Sequence, residues 1–338
     1  MMNNYIDKLQ KKQNLTSLEM EEVMRSIMSG KASQNDIALF LMALRDKGAT
    51  VDEITGAAKI MRQFVVPVQS KHAVILDTCG TGGDRLRTFN ISTIVAFVVA
   101  AAGVAVAKHG NRSVSSKCGS ADLLEALGVN LDAESKNLST CLDKIGIVFL
   151  FAQKLHPAMK HAAPARKQLG VETIFNVLGP LTNPAQATHQ MMGVYQNDLT
   201  EPMAQVLKNL GLKKALVVHG ADGLDEVTTT RETFVSEFNG KDISSYTIDP
   251  KECGIALASL ENLRGGDAST NSRIALEILK GKKSAKRDIV VFNAACALYI
   301  AEKVKAIPDG IKIAEDMIDT GKALDKLEAL KEFTHYAQ

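Results

Sequence analysis

The chain has 338 residues, enough for two domains or one large domain with an appendage, and 46% hydrophobic with 23% charged content is that of an ordinary soluble globular protein. A formal net charge of +2 gives no compositional case for nucleic acid or a membrane surface as partner. The five cysteines, at 79, 118, 141, 253 and 296, are odd in number and lack a Cys-x-x-Cys pair, so they read as reduced thiols of a cytoplasmic protein. Residues 1–13 are polar and carry no secretory signal, and the longest apolar run, Ile94–Ala107, is too short to span a bilayer and is split by Gly103.

Residues 4–64 have a helical pattern throughout. Thr16 and Ser17 open a helix with Leu18, Val23, Ile27 and Met28 on its apolar face, and Gly30 stops it. Ser33 starts another helix that ends at Gly48, and Thr50 caps a third that runs to about Phe64. So short a helical region has little bulk for a private core and is expected to pack on something else. The expected division is a helical domain over 1–69 and an α/β domain over 70–338; the family resemblance described below implies that the chain returns to the first near 162–186.

After Pro67 the pattern changes to strands alternating with helices. Ala73–Leu76, Val104–Ala107, Ile147–Leu150, Gln190–Tyr195, Ala215–His219, Glu226–Thr230, Thr233–Phe238 and Asp242–Thr247 read as strands. Helices are expected over 91–102, 121–127, 159–169 and 201–210, and from Ser269 nearly to the end. This alternation predicts an α/β fold whose central sheet is mostly parallel and flanked by helices, behind a small all-helical N-terminal domain. The basic run Lys280–Arg287 reads as a solvated helix junction.

Three clusters concentrate glycine, hydroxyls, amides and cations at the ends of these elements. Gly80-Thr81-Gly82-Gly83-Asp84 follows the first strand. It is no dinucleotide fingerprint, because Arg85 stands where glycine is needed, and no P-loop, because Gly-Lys-Ser/Thr is missing. Glycines still let a backbone approach an anion, and the next helix begins near Asn90 with Ser92 and Thr93 at its positive end. Lys108-His109-Gly110-Asn111-Arg112 follows the second strand, where open α/β sheets place ligands. Lys108 suits a phosphate as a point charge, while His109 reads first as a structural hydrogen bonder and second as a general base. Asp225 and Glu226 read either as an acidic turn or as oxygen ligands of a hard cation such as Mg²⁺, with Asp84 a weaker candidate. Arg166 would be a surface charge if taken alone; on a helix it can also clamp a carboxylate.

Taken together and in order, Gly80–Asp84, Asn90–Thr93, Lys108–Arg112, Ser115–Asp122, Asn176–Pro184 and Asp225-Glu226 resemble the anthranilate phosphoribosyltransferases over nearly the whole chain. The resemblance implies transfer of phosphoribose from 5-phosphoribosyl 1-diphosphate to the amine of anthranilate, a Mg²⁺ cofactor and a homodimer joined through the helical domain. It assigns the donor to Gly80, Gly83, Asp84, Thr88, Asn90, Ile91, Ser92, Thr93, Lys108, His109, Gly110, Asn111, Arg112, Ser113, Val114, Ser115, Ser116 and Ser120. It assigns anthranilate to Gly80, Asn111 and Arg166, and Mg²⁺ to Ser92, Asp225 and Glu226. Lys108 would stabilise the leaving group, and no general base is assigned. Arg85 and Cys118 depart from the usual glycine and serine. The runner-up expectations are a pyrimidine nucleoside phosphorylase, which needs no divalent metal, and a non-catalytic relative that binds nucleic acid.

Overall fold

The computed structural model describes residues 2–84, 86–113 and 117–336. Four helices open the chain: α1 (Met2–Gln10), α2 (Ser17–Met28), α3 (Gln34–Lys47) and α4 (Val51–Gln63). Their starts follow from side-chain caps. Thr16, Ser33 and Thr50 each accept from the backbone N–H three residues on, and Glu19 and Glu53 complete reciprocal boxes. Glu53 is fully buried, accepting from Leu15 N and Thr50 N and pairing with Lys47 at 2.9 Å. The α2 face is Met20, Val23, Met24, Ile27 and Met28; Leu18, expected on it, lies on the opposite side and is 71% exposed.

The α/β part continues with β1 (Ile75–Thr78), α5 (Ile91–Ala101), β2 (Ala105–Gly110), α6 (Ser120–Ala126), α7 (Ser135–Ile145), β3 (Ile147–Phe151), α8 (Ala152–Leu155), α9 (Ala163–Leu169), α10 (Phe175–Leu178), β4 (His189–Gly193), α11 (Thr200–Asn209) and β5 (Lys214–Gly220). It ends with β6 (Thr233–Phe238), β7 (Ile243–Ile248), α12 (Ala268–Leu279), α13 (Ala285–Ile300), α14 (Ile307–Asp319) and α15 (Lys322–Tyr336). The sheet order is β3-β2-β1-β4-β5-β6-β7; β3 to β5 are parallel, and β6 and β7 are antiparallel additions. No helix among the described residues is long and apolar enough to cross a membrane.

Alternation along the central strands divides the core in two. Met191, Leu216 and Val218 face a cluster with α5, α13 and α15, while Met192, Ala215 and Val217 face a cluster that takes in α2, α3, α4 and α11. Ala162, Ala165, Phe175, Leu178 and Leu181 join that second cluster, and Arg62 Nε donates to Leu181 O at 2.7 Å. The N-terminal helices therefore share their core with the sheet and with the 162–181 segment.

Further elements differ from those expected. Glu226–Thr230 is irregular, because Asp222 collects Thr228 Oγ1, at 2.6 Å, and Thr230 Oγ1 and folds the segment into a knot. The 159–169 helix is broken into a 3₁₀ turn over Pro157–His161 and α9, with Pro164 in the first turn of α9. Helix α7, not foreseen, follows from Leu138, Cys141 and Leu142 on one buried stripe. The Lys280–Arg287 run is a helix junction, with Lys282 on Glu277 and Lys283 on Asp319, but it is not solvated throughout: Arg287 is buried against Asp319 and Glu315.

Candidate active site

The site forms where β1, β2, β4 and β5 end together. In the loop after β1, Gly82 and Gly83 adopt φ of 64° and 90°, the left-handed region that favours glycine. Gly80 is required for a different reason: a Cβ there would lie 2.7 Å from Asp225 Oδ2. Gly193, at the end of β4, is tighter still, since a Cβ would stand 1.6 Å from the Asp225 carbonyl oxygen. Thr81 N donates to Gly193 O at 2.9 Å and Gly82 N to Asp225 Oδ2 at 2.8 Å. The glycine loop and the Asp225-Glu226 turn are thus one packed unit, though 143 residues separate Gly82 from Asp225.

Glu226 lies at the start of α5, where Ser92 N donates to its Oε1 at 3.2 Å, so the helix's positive end already faces a carboxylate. Asp84 shares a hydrogen bond with Asp225. Burial pushes Asp225 up to about 7, with the Asp84 charge adding to the rise, and Glu226 up to about 8, with Asp225 adding. Among the described residues, Lys108 is the positive charge that acts on Glu226. Its buried ammonium donates to Thr78 O and to Ser92 Oγ at 3.2 Å. An all-oxygen donor set holding more buried negative charge than one lysine offsets fits a hard divalent cation such as Mg²⁺. The three carboxylates do not converge on a point. Among the described residues the cluster whose donor atoms lie within 4.8 Å of one another is Asp77, Cys79 and His109. The donors of that cluster are engaged: Asp77 accepts from His109 N and from Asn183 Nδ2 at 2.7 Å, and burial pushes the Cys79 thiol far above its ordinary range. It is a hydrogen-bonded layer beneath the loop.

The other expected donor residues sort by what they can still offer. Ile91 and Thr93 are buried; Ile91 could offer only backbone, while Thr93 keeps its hydroxyl and its N donates to Asn90 O. Asn90 spends both ends of its amide, on Cys118 O and on Asn271 Nδ2. Thr88 bridges to Arg264. Arg112 is half-exposed, paired with Asp122 at 3.0 Å and Glu125 at 2.8 Å, and stacked over Phe151. Gly110 admits no side chain, because a Cβ would lie 2.1 Å from Ser120 Oγ. Ser120 donates to Asn111 O, Asn111 Oδ1 accepts from Arg112 N, and Ser113 N donates to Asp122 Oδ2. Val114, Ser115, Ser116 and the departure at Arg85 lie outside the described residues.

Arg166 comes to this end of the sheet through packing. Its guanidinium stacks on Phe175 at 5.0 Å; the chain after Phe175 turns at Gly179, whose carbonyl accepts from His109 Nδ1 at 3.1 Å. Desolvation lowers the Arg166 pKa, and no carboxylate among the described residues pairs with it. A partly desolvated, unpaired guanidinium is suited to receive a carboxylate. Sequence reasoning missed the supporting residues Asp77, Asn183, Gln190, Gly193 and His156. Asn183 stands inside the Asn176–Pro184 stretch, and Asp77 lies on β1, where strand alternation that turns a carboxylate into the sheet was its only signal. A cavity of about 270 Å³ between β3, the 129–135 loop and α15 holds none of the site residues.

Residues 72–324 match the glycosyl transferase family a/b domain, and residues 3–65 match its helical bundle domain. The anthranilate phosphoribosyltransferase of Alkaliphilus metalliredigens is 54% identical over 332 residues, covering 98% of this chain and 97% of that protein. The crystal structure of anthranilate phosphoribosyltransferase from Thermus thermophilus superposes with a TM-score of 0.93 at 42% identity, covering 98% of this chain and 99% of that one. The Saccharomyces cerevisiae enzyme in complex with PRPP and Mg superposes with a TM-score of 0.92 at 28% identity, over 99% and 98% of the two chains. The yeast protein has also been solved in complex with 4-fluoroanthranilate.

Proposed function

The chain belongs to the anthranilate phosphoribosyltransferases, and from that premise we propose how its residues divide the reaction. The protein transfers the phosphoribosyl group of 5-phosphoribosyl 1-diphosphate to the amine of anthranilate and releases diphosphate, a step of tryptophan biosynthesis. The observation that carries the division is the packed unit of glycine loop and buried Asp225-Glu226 turn at the strand ends.

The acceptor is an aromatic amine, neutral at physiological pH, so the barrier lies in breaking the bond from ribose C1 to diphosphate. Mg²⁺ supplies neutralisation of the leaving diphosphate when bound. Asp225, Glu226 and the Ser92 hydroxyl are its holders in this reading. Gly80, Gly83, Asp84, Thr88 and the 90–93 turn line the donor, and Lys108 to Ser113, with Ser120, form its other wall. Lys108 stabilises the leaving group through its field: its ammonium fixes Ser92 and offsets Glu226 from behind. Arg112 has to trade part of its pairing with Asp122 and Glu125 to touch a phosphate. Arg166 takes the anthranilate carboxylate, with Asn111 and the open face of Gly80 beside it, and so turns the amine towards C1.

The two bodies we assign are 1–69 with 162–186, and the remainder from residue 70. Leu18 and Leu39, large apolar residues exposed on α2 and α3, favour a homodimer joined through the first body. Five free thiols favour a cytoplasmic location. The reaction is tested by following anthranilate fluorescence with 5-phosphoribosyl 1-diphosphate and Mg²⁺. We expect it to decay with one diphosphate released per anthranilate consumed. Decay without diphosphate release would overturn the assignment.

A further inference from the structure

The protons of His109 and His156 can be assigned from their partners. A carbonyl oxygen only accepts, so His109 Nδ1, 3.1 Å from Gly179 O, carries a proton. Burial holds His109 neutral, with its pKa pushed down to about 3, so its Nε2 is bare. His156 Nε2, 3.0 Å from that bare nitrogen, is therefore the donor between them. Burial also pushes His156 down to about 4, which leaves its ring neutral and its Nδ1 bare. That Nδ1 has no partner among the described residues and is not sealed from solvent.

The pair stands where the acceptor is expected. His109 is two residues before Asn111 on the same strand end. His156 starts the succession of turns that leads to Arg166: Met159 N donates to His156 O, Ala162 N to Met159 O, and Arg166 N to Ala162 O. The titratable groups around the pair are few. Among the described residues, His109 contacts His156, Lys108 is next along β2, and Asp77 accepts the His109 backbone N–H.

We propose that His156 Nδ1 accepts the proton that the acceptor amine loses as its bond to ribose forms. This rests on the placement of anthranilate between Arg166 and Asn111. The amine lone pair bonds to C1, and the electron pair of the C1–O bond leaves with diphosphate. One N–H proton passes from the resulting ammonium to His156 Nδ1 and then to water, and the nitrogen regains its lone pair. The proton of an arylammonium is strongly acidic, so a weak base is sufficient. Throughout, the Nε2–H bond to His109 and the His109 bond to Gly179 hold the ring's orientation. The Asp77–Asn183 layer beneath holds His109 in turn.

The test is His156→Gln, whose amide N–H can keep the bond to His109 while Nδ1 is lost. We expect kcat to fall about 100-fold, in the range of lost general-base catalysis, with both Michaelis constants within about twofold of wild type. Imidazole in the buffer should restore part of the rate to His156→Ala. An unchanged kcat, or a loss confined to the Michaelis constants without imidazole rescue, overturns the role. Nitrogen-15 spectra of the wild-type protein give a check that needs no variant: they should show Nδ1 protonated in His109 and bare in His156, and the reverse tautomer at His156 overturns it. Wild-type protein that releases no diphosphate at all would instead refute the reaction assignment, so the two failures can be told apart.

Discussion

At the scale of single residues, the site depends on a few partly or fully desolvated charges and on the glycines that leave them room. Arg166 is partly desolvated and stacked, and no carboxylate among the described residues pairs with it. A charge-assisted fork to a substrate carboxylate contributes about 2 kcal/mol, so Arg166→Ala should raise the Michaelis constant for anthranilate roughly 30-fold. The constant for the ribose donor should stay within about twofold; equal changes in both would remove Arg166 from the acceptor site. Gly193 acts by having no side chain. Gly193→Ala would push its Cβ into the Asp225 carbonyl and cost on the order of 2 kcal/mol of stability. The same variant should need more Mg²⁺ for half-maximal rate. A variant with wild-type melting and wild-type Mg²⁺ response would show that the turn is free to move. Arg112 shows the opposite case, a cation read as a phosphate ligand that already has two carboxylate partners.

At the scale of elements, the caps were legible and the knots were not. Thr16, Ser33 and Thr50 start helices because a short hydroxyl before an apolar period has one favourable use, and the sequence displays both parts. The strands β2, β3 and β5 announce themselves as apolar runs between glycines and polar turns, whereas β7 is a mostly exposed edge strand. The 226–230 segment also looked like a strand, but its threonines answer to Asp222, a local attraction that periodicity does not register. Leu18 was placed inside by spacing alone, although Met20 and Met24 fit the same period one step round the helix. The glycine loop and the Asp225-Glu226 turn were each legible as motifs. Their contact depends on the β1-β4-β5 strand order, which no local pattern encodes. The α3–α4 junction is held by a buried pair whose two members come from those helices, Lys47 and Glu53. Removing one charge of a buried pair costs about 3–5 kcal/mol, so Glu53→Gln should shift the urea midpoint clearly downward. An unchanged midpoint would mean that solvent reaches Lys47.

At the scale of the whole molecule, buried titratable groups set a pH response that depends on the metal. The folded-state pKa is raised for Asp77, to about 6, for Asp225, to about 7, and for Glu226, to about 8. Their stability contribution is full below the unfolded carboxyl range near 4 and is lost as pH rises through 6 to 8. His109 and His156 are depressed, so theirs is present above about 6.5 and is lost as pH falls towards 4 and 3. Between pH 6.5 and 8.5 the carboxylates act alone among these groups. The metal-free protein should therefore melt at lower temperature at pH 8.5 than at 6.5, and Mg²⁺, which binds the ionised form, should flatten the trend. Parallel slopes with and without Mg²⁺ would mean that the ion sits elsewhere. The central claim is that Asp225 and Glu226 hold the metal for phosphoribosyl transfer, and the direct measurement is the rate against Mg²⁺ concentration for the Asp225→Asn, Glu226→Gln double variant beside wild type. The expected result is an activation midpoint at least tenfold higher in Mg²⁺ with the anthranilate Michaelis constant unchanged, and superposable activation curves would contradict it.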